Sequence, residues 1–382
     1  MKLLLGELQE AFDHATRKVI KANTIGRIWS KDHSVWQSDP TGVCDRLGWL
    51  DISDRMQFEI PKIEQFATIA CSDEYTDVLL LGMGGASLAA EVLAKVFGAR
   101  DGFLRLSVLD SIDSWAVTAQ LKRINVETTL FVVSTKSGTT IETLSLFRHC
   151  HALVTSVVGK EAAGQHFIAI TDPASSLAKI AEEKDFREIF FGDSNIGGRF
   201  SALSVFGLVP AALLGVNLNE LLHRAIAMAR CSSVSSSNAV QLGIALGVAV
   251  HSGRNKLTLL CDPALDSFGN WVEQLIAEST GKDNTGIVPV VGEPRASSDY
   301  YSEDRLFVKI QYDSQPPIDD FVNCLSRAGH PVVILDLRDS YDLAAQFFLW
   351  EMATAVAGTF LSINPFDQPN VELTKRYVKE II

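Results

Sequence analysis

No two cysteines in the sequence are paired by spacing. The six, Cys44, Cys71, Cys150, Cys231, Cys261 and Cys324, are scattered, and no Cys-x-x-Cys occurs. They read as small core residues of a reducing compartment. The eight histidines form no His-x-x-x-His or Cys/His cluster, so no metal is expected. Positive charge is in deficit, with 34 Lys and Arg against 46 Asp and Glu and a net charge of −12. That balance argues against nucleic-acid or anionic-membrane partners. An anionic substrate would need a local pocket working against the overall field. Long apolar runs are missing too. Met1-Lys2-Leu3-Leu4-Leu5 is followed at once by Gly6 and Glu7, too short for a signal peptide. The most apolar stretch, 206–216, contains Pro210 and is too short to span a bilayer. A cytoplasmic protein is expected.

The chain does have enough apolar material for a large core. At 382 residues with 47% hydrophobic and 21% charged content, it suits two domains, or one large domain with additions. Residues 5–24 show helical spacing, 25–54 look irregular, and 55–71 read as a helix that Pro61 kinks or opens. A regular alternation follows. Strands are expected at 77–81, 104–109, 129–133, 166–170 and 189–191. Helices are expected at 88–97, 114–124, 141–157 and 175–183. This spacing predicts a parallel sheet with helices on both faces, an α/β doubly wound architecture whose ligands bind beyond the strand C-termini. Helices over 201–215 and 218–230 lead to the serine-rich run 232–237, taken as a linker. After a helix at 238–251, a second α/β set is expected, with strands at 257–261, 306–310 and 331–335 and helices at 267–280, 318–328 and 341–361. Residues 286–303 read as a long loop. The expected division is a helical arm 1–72, a phosphate-binding domain 73–232, a second domain 233–362 and a C-terminal helix 363–382.

The strongest chemical signal is the loop Ser134-Thr135-Lys136-Ser137-Gly138-Thr139-Thr140, placed between the third strand and its helix. Free N–H groups at a helix start, hydroxyl donors and a glycine suit a phosphate monoester. The loop lacks nucleotide P-loop spacing, and the same residues also make an ordinary Ser/Thr helix cap. Gly82-Met83-Gly84-Gly85-Ala86-Ser87 resembles a dinucleotide fingerprint superficially but lacks its third glycine, so a plain tight turn fits equally. Gly197-Gly198-Arg199-Phe200-Ser201 places a cation at a turn, either to hold an anion or as a surface residue. Gln274 and Glu278 share one helix face, which is either a general-base site or a solvated surface. Asn364-Pro365-Phe366-Asp367-Gln368 leads into a segment bearing Lys375.

Taken in order, these segments resemble the glucose-6-phosphate isomerase family. They read Gly-x-Gly-Gly-x-x-Leu, Ser-x-Lys-Ser-Gly-Thr-Thr-x-Glu-Thr, Gly-Gly-Arg-Phe-Ser, Gln-x-x-x-Glu-Ser-x-Gly-Lys and Asn-x-Phe-Asp-Gln-x-x-Val-Glu-x-x-Lys. The likeness runs from about residue 20 to residue 380. Stretches 272–290 and 354–372 look most like the isomerase half of bacterial transaldolase/glucose-6-phosphate isomerase fusions. The resemblance implies two sugar-isomerase (SIS) domains. It also implies interconversion of glucose 6-phosphate and fructose 6-phosphate through an enediol(ate), without a metal or other cofactor, in a homodimer. It implies that Thr135, Lys136, Ser137 and Thr140 hold the phosphate, with Glu142 supporting the loop. Gly85 and Gly198 would offer backbone contacts to the sugar. Arg199 would stabilise the enediolate and Glu278 would move the proton, with Gln274 and Gln368 orienting ligand groups. Lys375 would contact the sugar and assist ring opening.

Three departures stand out. No Gly-Gln-His segment lies between Glu278 and Lys375, and His330 does not match one, which leaves Lys375, a histidine from a partner subunit or water to open the ring. Ala86 stands where the family usually has serine. The chain ends soon after Lys375, so a short, truncated C-terminal helix is expected. Two other readings stay open: a non-catalytic sugar-phosphate sensor, and an isomerase that also accepts mannose 6-phosphate.

Overall fold

The short apolar runs become buried strands. The computed structural model describes residues 1–313 and 319–368. The chain divides into two compact units. The first holds residues 48–227 and 339–347. The second holds 1–47, 228–338 and the described residues from 348 onward.

The first unit is built on β2 (Asp77–Gly82), β3 (Arg105–Leu109), β4 (Thr129–Ser134), β5 (Phe167–Thr171) and β6 (Glu188–Phe191), in the order β3-β2-β4-β5-β6. Every neighbouring pair is parallel. Such sheets carry helices on both faces, which is why Leu130, Phe131, Val132 and Val133 run without a polar break and are all buried. The chain leaves β2 for β3 on one side, then crosses back to β4 on the other. Strand order therefore reverses between β2 and β4, and a crevice opens at their C-terminal ends. The register Gly82↔Ser134 sets those ends level. Beneath them, Phe131, Phe147, Phe167 and Phe186 form a ring-packed core, with Phe131 and Phe167 stacked at 5.0 Å between centroids.

The second unit repeats the plan. Its strands are β1 (Lys2–Leu4), β7 (Lys256–Cys261), β8 (Val288–Val290), β9 (Arg305–Tyr312) and β10 (Val332–Leu337), ordered β8-β7-β9-β10-β1. All pairs are parallel except β1 on β10. Two of these strands lie outside the sequence expectation. β1 is too short to show a period. β8 interrupts the loop expected at 286–303, and its Pro289 is tolerated because β8 is an edge strand.

Other differences are local. The expected helix 55–71 is two helices, Ile52–Met56 and Ile60–Ser72, with Pro61 in the first turn of the second. The helix expected from 201 begins instead at Val205, where Ser204 accepts a hydrogen bond from the Phe206 N–H, after a tight turn over Gly198–Phe200. The segment expected to be irregular contains helix Thr24–Trp29. The serine run is a turn rather than an open linker: Ser232 is buried, and its carbonyl accepts a hydrogen bond from Trp29 Nε1 at 3.2 Å. Residues 1–47 group with the second unit because β1 extends its sheet and helix Gln9–Lys21 packs on helix Asn238–His251. Residues from 48 onward join the first unit, where Gly48 N–H donates to Asn195 O at 2.9 Å. Among the described residues, no helix is long and apolar enough to cross a membrane.

Candidate active site

The residues singled out by sequence fall into two sets, one in each unit. In the first unit, the hydroxyl-rich loop starts at the end of β4 and runs into helix Ile141–Val158. Gly138 adopts φ +69, and a Cβ there would lie 2.8 Å from Leu177 N and from Ser175 Cβ. Only glycine accommodates both the dihedral and the contact. The loop is braced from within and below. Thr135 and Thr140 hydroxyls share a hydrogen bond of 2.9 Å, as do Ser137 and Thr139. Thr171 donates to Thr135 O at 2.7 Å, and Ser176 donates to Gly138 O. Ser137 and Thr139 are exposed, while Thr135 is buried. The result is a stiff cradle of hydroxyls at a helix N-terminus, suited to a dianion.

Lys136 is engaged by two aspartates that follow neighbouring strands. Its ammonium contacts both carboxylate oxygens of Asp172, at 2.5 and 2.7 Å, and donates to Asp193 O at 2.6 Å. The Asp193 carboxylate pairs with Arg55 at 2.6 Å and accepts from Asn195 N–H at 2.8 Å. Burial works to raise the Asp193 pKa, but the Asn195 N–H and the Arg55 guanidinium outweigh it and hold the carboxyl below its ordinary range. Lys136 thus ties the hydroxyl loop to the strand end that leads into Gly197-Gly198-Arg199. No motif in the sequence marks Asp172 or Asp193. Both sit just beyond strand ends, the only hint the sequence offers. Glu142 is exposed in the first helical turn, where its charge complements the helix dipole, and its carboxylate bonds none of the described loop residues.

The two glycine turns meet. A Cβ on Gly85 would lie 2.6 Å from Gly198 C and O, whereas one on Gly198 would meet nothing within 4 Å. The Gly85 side is therefore packed backbone on backbone, and the Gly198 side opens to free space. Arg199 follows in the same turn and is only 5% exposed. Ala86 forgoes a hydroxyl, but its carbonyl accepts from Ser134 at 2.7 Å and so ties this turn to β4. Gly85→Ala is expected to force the turns apart at a cost of about 1–3 kcal/mol and to lower kcat/KM with it. A urea midpoint and a rate measurement on the same sample check this, and no change in either would refute the close packing.

In the second unit, helix Asp266–Thr280 carries Gln274 and Glu278. Gln274 donates to Glu278 Oε1 at 3.1 Å, and Gln368 donates to Glu278 Oε2. Both carboxylate oxygens are thus held by side-chain amides, one from its own helix and one from 90 residues away in sequence. The Lys282 ammonium reaches Asn364 O, Asp367 O at 2.8 Å and Asp367 Oδ1. In the sequence Lys282 is only the last residue of the Gln-x-x-x-Glu-Ser-x-Gly-Lys motif, and nothing local marks Asp367 as its partner. Lys375 lies outside the described residues. Among the described residues, no group of His, Cys, Asp and Glu could hold a metal ion.

Two α/β units of one strand plan, with a hydroxyl loop at the switch point of one and an amide-clamped carboxylate in the other, give the architecture of a double SIS-domain protein. The comparisons then narrow the class. Residues 51–292 match the phosphoglucose isomerase family, and the chain belongs to it. It is 28% identical to a glucose-6-phosphate isomerase of Streptococcus agalactiae, over 87% of this chain and 86% of that protein. Among solved structures, a hypothetical protein of Thermus thermophilus superposes with a TM-score of 0.82 at 22% identity, over 99% of both chains. A glucose-6-phosphate isomerase of Chlamydia trachomatis gives 0.78 at 17% identity, over 97% of this chain and 85% of that one.

Proposed function

We infer that this chain interconverts glucose 6-phosphate and fructose 6-phosphate, a step of glycolysis and gluconeogenesis. The observation that carries the reading is the Glu278 carboxylate clamped by Gln274 and Gln368 in a member of this family. Moving a proton between C2 and C1 of the open-chain sugar needs one carboxylate base and one group to hold the charge on oxygen. Glu278 takes the C2 proton of the aldose and returns it to C1, passing through an enediol(ate), while the O2 hydroxyl proton passes to O1. The Arg199 guanidinium stabilises the oxyanion. Thr135, Ser137 and Thr140 hold the phosphate with hydroxyl and backbone donors, and Lys136 keeps their loop in place through Asp172 and Asp193. Phosphate binding at a distance from the reacting carbons supplies energy for alignment. Gly85 and Gly198 present backbone to the sugar, and Gln274 and Gln368 orient the base. Lys375 contacts the sugar and assists ring opening, and Glu142 supports the loop through its charge at the helix start.

We further propose a homodimer, kinship with transaldolase fusions and a cytoplasmic location. The purified protein, assayed with fructose 6-phosphate by a coupled dehydrogenase, should turn over without added metal. Mannose 6-phosphate in parallel reports epimer tolerance. Tight binding of fructose 6-phosphate without turnover would instead make the chain a sensor.

A further inference from the structure

Glu278 is held by two amides of different origin. Gln274 lies one helical turn away, so the helix itself sets its distance. Gln368 lies far along the chain, and something else must bring it to the carboxylate. We infer that Lys282 is that device: a positioning residue that fixes the turn over residues 364–368 so that Gln368 donates to the base. The inference rests on the isomerase reading of Glu278.

The geometry forms a continuous line. Helix Asp266–Thr280 stops at Gly281, whose N–H still bonds Ala277 O at 2.9 Å. Lys282 and Thr285 then exchange two backbone hydrogen bonds, of 3.1 and 2.8 Å, around Asp283 and Asn284. Both central residues have positive φ, +50 and +61, the dihedrals of a tight two-residue turn. The Lys282 backbone is therefore rigidly placed just beyond the helix that bears Glu278. Its side chain is 7% exposed. The ammonium reaches three acceptors on a single segment: Asn364 O, Asp367 O and Asp367 Oδ1.

That segment is cross-tied by its own contacts. The Asn364 side chain accepts from Phe366 N–H at 3.0 Å and donates to Gly42 O at 3.1 Å. Phe366 is buried and packs edge-on against Trp36 at 4.9 Å. Gln368 follows Asp367 directly, so wherever Lys282 holds Asp367, Gln368 is carried along. Removing the ammonium would leave two carbonyls and a carboxylate of one turn without this donor, which costs more than the pair contributes net. The turn would shift, and Glu278 Oε2 would lose its amide.

The test uses the full chain and fructose 6-phosphate. Lys282→Met should lower kcat by about 10- to 100-fold while KM stays within about threefold, because the loss falls on the reacting geometry rather than on phosphate binding. Lys282→Met combined with Gln368→Ala should be no slower than Gln368→Ala alone, since both act on one line. Thermal unfolding checks that the variants fold. Should Lys282→Met fail to fold, Asp367→Asn takes its place: it removes one charged acceptor, and the same non-additivity with Gln368→Ala is required. A Lys282→Met rate within threefold of the parent, a loss confined to KM, or a double variant that multiplies the two single losses would each overturn the inference. Inactivity of the unsubstituted protein would sink the isomerase reading first, and this inference with it.

Discussion

Glu278→Gln is expected to lower kcat by about 10⁴-fold, close to complete loss, with the affinity for fructose 6-phosphate kept within a few-fold. The amide has nearly the shape of the carboxylate, so the helix and its packing are untouched. It cannot accept the proton, however, and no second carboxylate of the clamp replaces it. The loss corresponds to about 5.5 kcal/mol of transition-state stabilisation. Part of it comes from geometry. Gln274 and Gln368 both donate to Glu278, and a glutamine there opposes one donor with another. Affinity should survive because the hydroxyl loop proposed to take the phosphate belongs to the first unit, on β4 and its helix. Steady-state rates and equilibrium binding on one preparation separate the two quantities. Isomerase activity within a few-fold of the parent would refute the assignment of the base.

Arg199→Met should lower kcat by about 10²- to 10³-fold, the loss typical of removing one preorganised oxyanion donor, equal to about 3–4 kcal/mol. Arg199 is suited to that work because it is 5% exposed and follows Gly198, whose backbone faces open space. A cation held out of bulk water acts on a developing charge with little screening. Arg199→Lys should recover only part of the rate, since the charge returns without the planar fork. A buried cation also contributes to folding, so the comparison is made on samples with matched unfolding transitions. A methionine variant within tenfold of the parent kcat would remove Arg199 from the oxyanion role.

Much of this was legible because it is local. The strand-to-helix loop 134–140 announces itself through its hydroxyls and glycine, and Gln274 and Glu278 through their spacing on one helix. The alternation of apolar runs and amphipathic stretches predicts parallel sheets, and the resemblance to one isomerase family gathers the motifs into a reaction. The misses are short or long-range. β1 and β8 have three residues each, below what a period of two can reveal. The salt bridge of Lys136 with Asp172 joins residues 36 apart, and nothing local marks Asp172 as its partner.

The two units also differ in what topology explains. In the first, the hydroxyl loop follows the C-terminal end of β4, the edge at which such sheets gather ligands. In the second, Glu278 sits in the last turn of the helix that connects β7 to β8. A crossover helix runs opposite to its strands, so its end lies toward the strand N-termini, away from the ligand-gathering edge.

The sequence by itself determined the α/β class and the hydroxyl-rich strand-to-helix loop, because helix and strand periods and turn chemistry act over a few residues; Glu278 as the base came only from the resemblance to one isomerase family. The tertiary structure alone decided what holds these groups in place: Asp172 and Asp193 on Lys136, Gln368 on Glu278 and Lys282 on Asp367. The physical reason is that a buried charge or amide must find a partner wherever the fold brings one, and which partner arrives depends on the path of the chain rather than on its neighbours in sequence.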